Sequence, residues 1–180
     1  MKNINRKMHL FNIIFFVCTI AWMVTIFIFS HQTGEDSASF SGGITEFIVR
    51  IFCKDFDAFS LDKQTSILES TNYILRKGAH FTEYAILGLF CILTVLTYIY
   101  KDNSRYNKLS CKQHICRSII LSTLVSALYA VSDEIHQGFT ANRNPAIFDV
   151  LIDSSGALCA ILFASWIFYI FVIKKIAVQK

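Results

Sequence analysis

Four stretches of about twenty apolar residues, roughly the length of helix that crosses a bilayer core of ~30 Å, constrain this chain more than any other feature. Leu10–Phe29 carries no charge and only Asn12, Thr19 and Thr25 as polar side chains. Phe81–Tyr100 has one charge, Glu83. Ser118 to about His136 is apolar as far as Val131 and then turns polar at Ser132, Asp133 and Glu134. Val150–Ile173 has one charge, Asp153. Inside lipid only helices or closed barrels satisfy their backbone groups. Charged residues make up 17% of the chain, below the ~25% usual in soluble domains, and the mean hydropathy is +0.48. These values exclude a soluble domain, a disordered chain and a secreted disulfide scaffold. The chain therefore reads as all-α, an integral membrane four-helix bundle in one domain over residues 1–180. Its spans lie at about 10–30, 79–100, 118–137 and 149–173. The first resembles a signal peptide only in the preceding Lys2, Arg6 and Lys7. Its apolar run is too long, and Ser30-His31-Gln32-Thr33-Gly34 offers no small-x-small cleavage site.

Basic residues set an expected orientation. The start of the chain holds Lys2, Arg6 and Lys7. The loop 101–117 holds Lys101, Arg105, Lys108, Lys112 and Arg117 against one acid, Asp102. The last residues hold Lys174, Lys175 and Lys180, so eleven of the 17 Lys and Arg fall in these three segments. Four spans place them on one side, and the positive-inside rule makes that side cytoplasmic. The expected location is thus the cell membrane, multi-pass, with both termini cytoplasmic. The charge of +4 follows from topology and gives no reason to expect nucleic acid. The outer loop 31–78 is expected to carry short interfacial or capping helices. Phe40, Ile44, Phe47, Ile48 and Ile51 recur at helical spacing, and Ser60 starts a second helix running through Ile67, Leu68 and Ile74. An ordinary packed loop helix explains both equally well. Cys18, Cys91 and Cys159 lie in spans as small apolar fillers. Cys111, His114 and Cys116 fall short of a zinc site in number and spacing.

The remaining acids carry the functional signal. A carboxylate at a helix centre costs about 2.5–3.5 kcal/mol on insertion scales. Yet Glu83, Asp133, Glu134, Asp149 and Asp153 all fall at the outer ends of the expected spans. Arg76, His80 and Glu83 are spaced by four and three residues and share a helix face. Tyr129, Asp133 and His136 repeat that pattern, and Asp149 and Asp153 are four apart. The last connection adds Gln137, Arg143 and a turn containing Asn142, Asn144 and Pro145. These faces satisfy one another inside a bundle better than lipid can, which predicts a polar cavity opening outward. Glu134 is expected at the headgroups, and Gln137, Tyr84 and Tyr129 are expected to orient neighbours or touch a ligand. Ser122, Ser126 and Ala130, with Gly156, Ala160 and Ala164, form small-x-x-x-small runs that bring helices close.

Arg76-Lys77-Gly78-Ala79-His80-Phe81-Thr82-Glu83-Tyr84 with Gly88 resembles one block of the VanZ-like membrane proteins. Tyr129-Ala130-Val131-Ser132-Asp133-Glu134-Ile135-His136-Gln137-Gly138-Phe139 resembles a second, and Arg143, Asp149-Val150, Asp153 and Gly156 a third. Phe29-Ser30-His31-Gln32 and the serines at 37, 39 and 41 are also similar. The likeness runs from about residue 25 to residue 165. The family's Val-Pro-Gly-Arg turn is Thr140-Ala141-Asn142-Arg143 here, and a glycine often seen a turn after Gly156 is missing. Both departures touch turn shape and packing more than charge. The resemblance implies lower susceptibility to teicoplanin, a glycopeptide antibiotic carrying a fatty acyl chain, and leaves the reaction open.

Two readings of the polar cluster follow. As a binding site, Arg76, Lys77 and Arg143 hold an anionic group of membrane lipid, of teicoplanin or of a lipid-linked cell-wall precursor. As an enzyme, His80, Glu83, Asp133, His136, Asp149 and Asp153 supply acid–base groups for a membrane-embedded hydrolase or transferase, with or without a metal ion. No His-Glu-x-x-His, Gly-x-Ser-x-Gly or Walker loop is present, so metal and cofactor stay unassigned. The bland alternative is interhelical pairing, worth only about 0.6 kcal/mol per hydrogen bond.

Overall fold

The computed structural model describes residues 2–32, 34–101, 111–141, 143 and 145–178. They form α1 (Lys2–Ser30), α2 (Gly34–Phe52), a 3-10 turn (Phe56–Ala58), α3 (Leu61–Lys101), α4 (Cys111–Gln137) and α5 (Ile147–Val178). Among the described residues there is no strand. Four of the helices, α1, α3, α4 and α5, are long and apolar enough to cross a membrane. Residues 102–110 of the basic loop, and Asn142 and Asn144 of the last connection, lie outside the described residues.

α3 is the hub. It packs most extensively on α5 and next on α1, α4 joins both α5 and α3, and α1 scarcely touches α4. Glycine sets the closeness of α3 and α5. A Cβ on Gly88 would stand 2.5 Å from the Ala157 carbonyl oxygen, and one on Gly156 would collide with the Phe81 carbonyl. Ser122, Ser126 and Ala130 on α4 are fully buried, as the small-residue spacing implies. Ile26, Tyr84, Leu87, Ile92, Ala157 and Ile161 form the core between the helices. Polar groups of α1 turn inward. Asn12 Nδ2 donates to the Thr94 carbonyl at 2.9 Å, Thr19 and Thr94 share a hydrogen bond of 3.1 Å, and Trp22 Nε1 donates to the Glu83 carbonyl at 2.8 Å. The outer faces expose Phe16, Val17, Leu128, Phe163 and Trp166. Lipid accommodates such a surface, and water does not.

One expectation is corrected. The sequence reading separated a loop helix from a span beginning near residue 79, but α3 runs unbroken over 41 residues. Nothing in it stops a helix: the only proline is Pro145, and a lone Gly78 costs about 1 kcal/mol without removing a hydrogen bond. At ~1.5 Å per residue α3 is about 60 Å long, twice the apolar slab. Its polar first half therefore extends past a span, and α2 packs along it. Thr45 donates to Asn72 Oδ1 at 3.2 Å, and Val49 is buried. The apolar stripe of α2 does not pack on the bundle. Ile44, Phe47 and Ile51 are exposed, whereas Thr45 and Val49 on the other side of α2 are buried. The Phe40 side chain lies outside the described residues.

Candidate functional site

Where α1 and α4 finish and α5 begins, the acidic and basic faces meet at the middle of α3. Their spacing explains the convergence. Leu75, Arg76, Ala79, His80 and Glu83 line one side of α3, facing a cavity of about 460 Å³. Ile26, Phe29, Ser30 and Gln32 close it from the α1 end, Ser41 and Ile44 from α2, and Asp133 and Arg143 from the opposite side. A second cavity of about 360 Å³ is more polar, lined by Glu69, Asn72, Tyr73, Arg76, Lys77, His80, Gln137, Arg143 and Asp149. Arg76, His80 and Arg143 belong to both walls.

Charges in this region are only partly matched. Lys77 pairs with Asp149, and its ammonium also lies 5.3 Å from the centre of the Tyr73 ring. Arg143 donates to Gln137 Oε1 at 3.0 Å, and Gln137 Nε2 donates to Asp133 Oδ2 at 3.1 Å. His80 Nδ1 stands 3.9 Å from Asp153 Oδ1, beyond hydrogen-bonding distance. Asp133 Oδ1, Asp153 Oδ1, His80 Nδ1 and Arg143 Nε are buried without a hydrogen-bond partner. Asp133 is 4% exposed and Asp153 1%, so neither carboxylate is satisfied by bulk water. Among the described residues, neither Arg76 nor Arg143 lies in a salt bridge with a carboxylate. Burial lowers the Arg143 pKa below the ordinary guanidinium range and nearby Arg76 lowers it further, against the pull of Asp133, Glu134 and Glu83.

The structure gathers Arg76, Lys77, His80, Glu83, Asp133, Gln137, Arg143 and Asp149 around the cavities, with Asp153 directly behind His80. Three expected site residues do not line either cavity. His136 faces α1, its Nε2 3.4 Å from His31 Nδ1 and its ring 4.4 Å from Phe27. Tyr129 donates its hydroxyl to the Met23 carbonyl and ties α4 to α1. Tyr84 is fully buried in the core, 6.3 Å from the Tyr129 ring, and lies off the cavity walls on the side of Asp133. A helix turns about 100° per residue, so a four-then-three spacing covers a broad face. Asp133 takes its inward edge, and Tyr129 and His136 take the edge toward α1. Glu134 is also corrected. It is 7% exposed and accepts the Ala146 backbone N–H, holding the connection to α5 rather than facing headgroups. Sequence reasoning missed Glu69 and Asn72, although Asn72-Arg76-His80 continues the same four-residue spacing one turn earlier. It also gave no role to Ser30, Gln32 and Ser41.

Among the described residues no three His, Cys, Asp or Glu side chains converge as metal ligands. At the far end of α4, His114 is buried and Cys116 exposed, so they face different ways. The arrangement can bind a charged group at the meeting of an apolar and a polar cavity, with histidine and carboxylates beside it. No curated protein and no solved structure matches this chain. The family model for VanZ/LLP1 does, over residues 15–171, and its match takes in the second half of α1, all of α3 and α4, α5 as far as residue 171 and every residue lining the two cavities: the chain belongs to the VanZ/LLP1 family.

Proposed function

We propose that this VanZ-like membrane protein lowers susceptibility to the lipoglycopeptide teicoplanin through an outward-facing polar site that binds the drug or an envelope lipid. One observation carries the reading. Arg76 and Arg143, two arginines without carboxylate partners, stand on the wall between an apolar and a polar cavity. Arginine's planar fork suits phosphate and carboxylate, and the apolar residues Ile26, Phe29, Ile44 and Leu75 suit a chain. An amphiphile with an anionic group fits both walls. The inhibitory concentration of teicoplanin, beside vancomycin, tests this in a susceptible Gram-positive host expressing the protein. A rise selective for teicoplanin is expected, lost in Glu83→Ala and Asp133→Ala at equal membrane levels. No rise from well-expressed protein overturns the reading.

A second reading rests on His80 and Asp153. A histidine backed by a buried carboxylate, in the wall of a cavity, is placed to take a proton in hydrolysis or transfer on a lipid-linked substrate. Mass analysis of the envelope lipids and drug after exposure separates the two, since binding alone leaves every mass unchanged.

A further inference from the structure

The charges around the larger cavity are sorted by depth. Along α3, Arg76 stands one tier above Glu83, seven residues or about 10 Å apart on the helix axis. On the facing side, Arg143 stands above Asp133 with Gln137 between them, hydrogen-bonded to both. His80 is the corresponding spacer on α3. Two columns thus repeat one order, guanidinium outside and carboxylate inside, with a non-acidic spacer holding opposite charges apart. Neighbouring charges do not cancel this pattern. Lys77 and Asp149 neutralise each other, and Glu134 is committed to the Ala146 N–H. Asp133, 4% exposed, keeps one carboxylate oxygen without a partner.

A purely anionic ligand would satisfy the arginines and bring a second negative charge toward Glu83 and Asp133, with the buried Asp153 behind His80 adding to the repulsion. A purely cationic one would do the converse. Unpaired charges in a poorly hydrated site are costly, so complementarity demands both signs. We propose that this site recognises a zwitterionic head group, a phosphate carrying a primary ammonium, with the phosphate at Arg76 and Arg143 and the ammonium at Glu83 and Asp133. The inference rests on the amphiphile-binding reading above and names its ligand class. A primary ammonium suits the site better than a trimethylammonium, because its N–H groups can donate to the open Asp133 oxygen.

The test titrates the full-length protein in detergent with lipids of identical chains and follows occupancy by native mass spectrometry. Phosphatidylethanolamine is expected to bind about tenfold or more tighter than phosphatidylglycerol or phosphatidylcholine, the scale of one charge-assisted hydrogen bond. Glu83→Gln and Asp133→Asn should bring the ethanolamine-to-glycerol ratio near one while glycerol lipid still binds. Arg76→Gln should weaken both. Chain-free O-phosphoethanolamine competes if the head group alone suffices, and does not compete if the chain is needed. This arm tells the two sources of the head group apart, while the ethanolamine-to-glycerol ratio decides the pairing. Equal affinity for the ethanolamine and glycerol lipids in the unsubstituted protein overturns the proposal and leaves amphiphile binding intact. Binding of no lipid at all overturns this pairing and the lipid-binding form of the reading above, and leaves drug binding to the inhibitory-concentration assay.

Discussion

Glu134 shows how a single carboxylate can be read from sequence as a site and turn out to be a fastener. Acids at the ends of apolar helices are costly, and the sequence offers several within a few residues. Asp133 and Glu134 are neighbours, about 100° apart on α4, yet one lines the cavity and the other accepts the Ala146 N–H that opens α5. Which one does which depends on the rotation of α4 about its axis. The polar side chains of α4 do not fix that rotation, because both of its edges carry them. The buried run Ser122, Ser126 and Ala130 fixes it in the fold. Replacing Glu134 by Ala leaves a backbone donor without its partner. The expected loss is about 1–3 kcal/mol, seen as a lower melting temperature in detergent and faster proteolysis between residues 138 and 146. Glu134→Gln retains an acceptor and should recover most of it. Equal stability of the Ala variant would show that water replaces the carboxylate. The residues most legible from sequence were Arg76, His80 and Glu83, whose helix presents a single polar edge. His136 was misplaced because nothing in the sequence announces that His31 and Phe27 of α1 receive it.

At the scale of elements, the positions of the four apolar helices were legible because lipid demands a run of fixed length, and apolar counting measures that directly. The beginning of α3 was also legible from Ser60. Its continuity was not, since an apolar run marks where lipid starts and says nothing about whether a helix stops there. Gly78 and Gly88 make the point, because identical residues in one helix do opposite things. Gly78 faces open space, whereas a Cβ on Gly88 would meet the Ala157 backbone of α5. Gly78→Ala is therefore expected to stabilise α3 by about 0.5–1 kcal/mol, the gain from removing glycine's backbone freedom. Gly88→Val should force α3 and α5 apart and destabilise by about 1–3 kcal/mol or more. Thermal unfolding of the two purified variants checks both signs at once. If Gly78→Ala is the damaging one, α3 bends at that residue in the membrane. Because α3 and α5 carry Glu83, Arg76, Asp149 and Asp153, Gly88→Val should also disturb the cavity without touching a charged residue.

For the whole molecule, the two cavities lie at the end where α1 leaves the bundle, and their meaning depends on which side of the membrane that is. By the positive-inside rule, the eleven basic residues at the chain's two ends and in the 101–117 loop make the opposite end the expected outer one. Their excess is an argument about insertion, since a lysine or arginine is costly to move across and is retained on the cytoplasmic side. The helices constrain the rest. Four crossings put Lys54, just past α2, and Cys116, near the start of α4, on opposite sides of the slab. Both positions are exposed, so a membrane-impermeant maleimide can report them. In a cysteine-free background, Lys54→Cys should be labelled in intact cells. A protein retaining only Cys116 should react after the membrane is opened and not before. The reverse pattern would turn the cavities toward the cytoplasm. The arginine pair would then meet inner-leaflet head groups, and a glycopeptide acting from outside the cell would have no path to it.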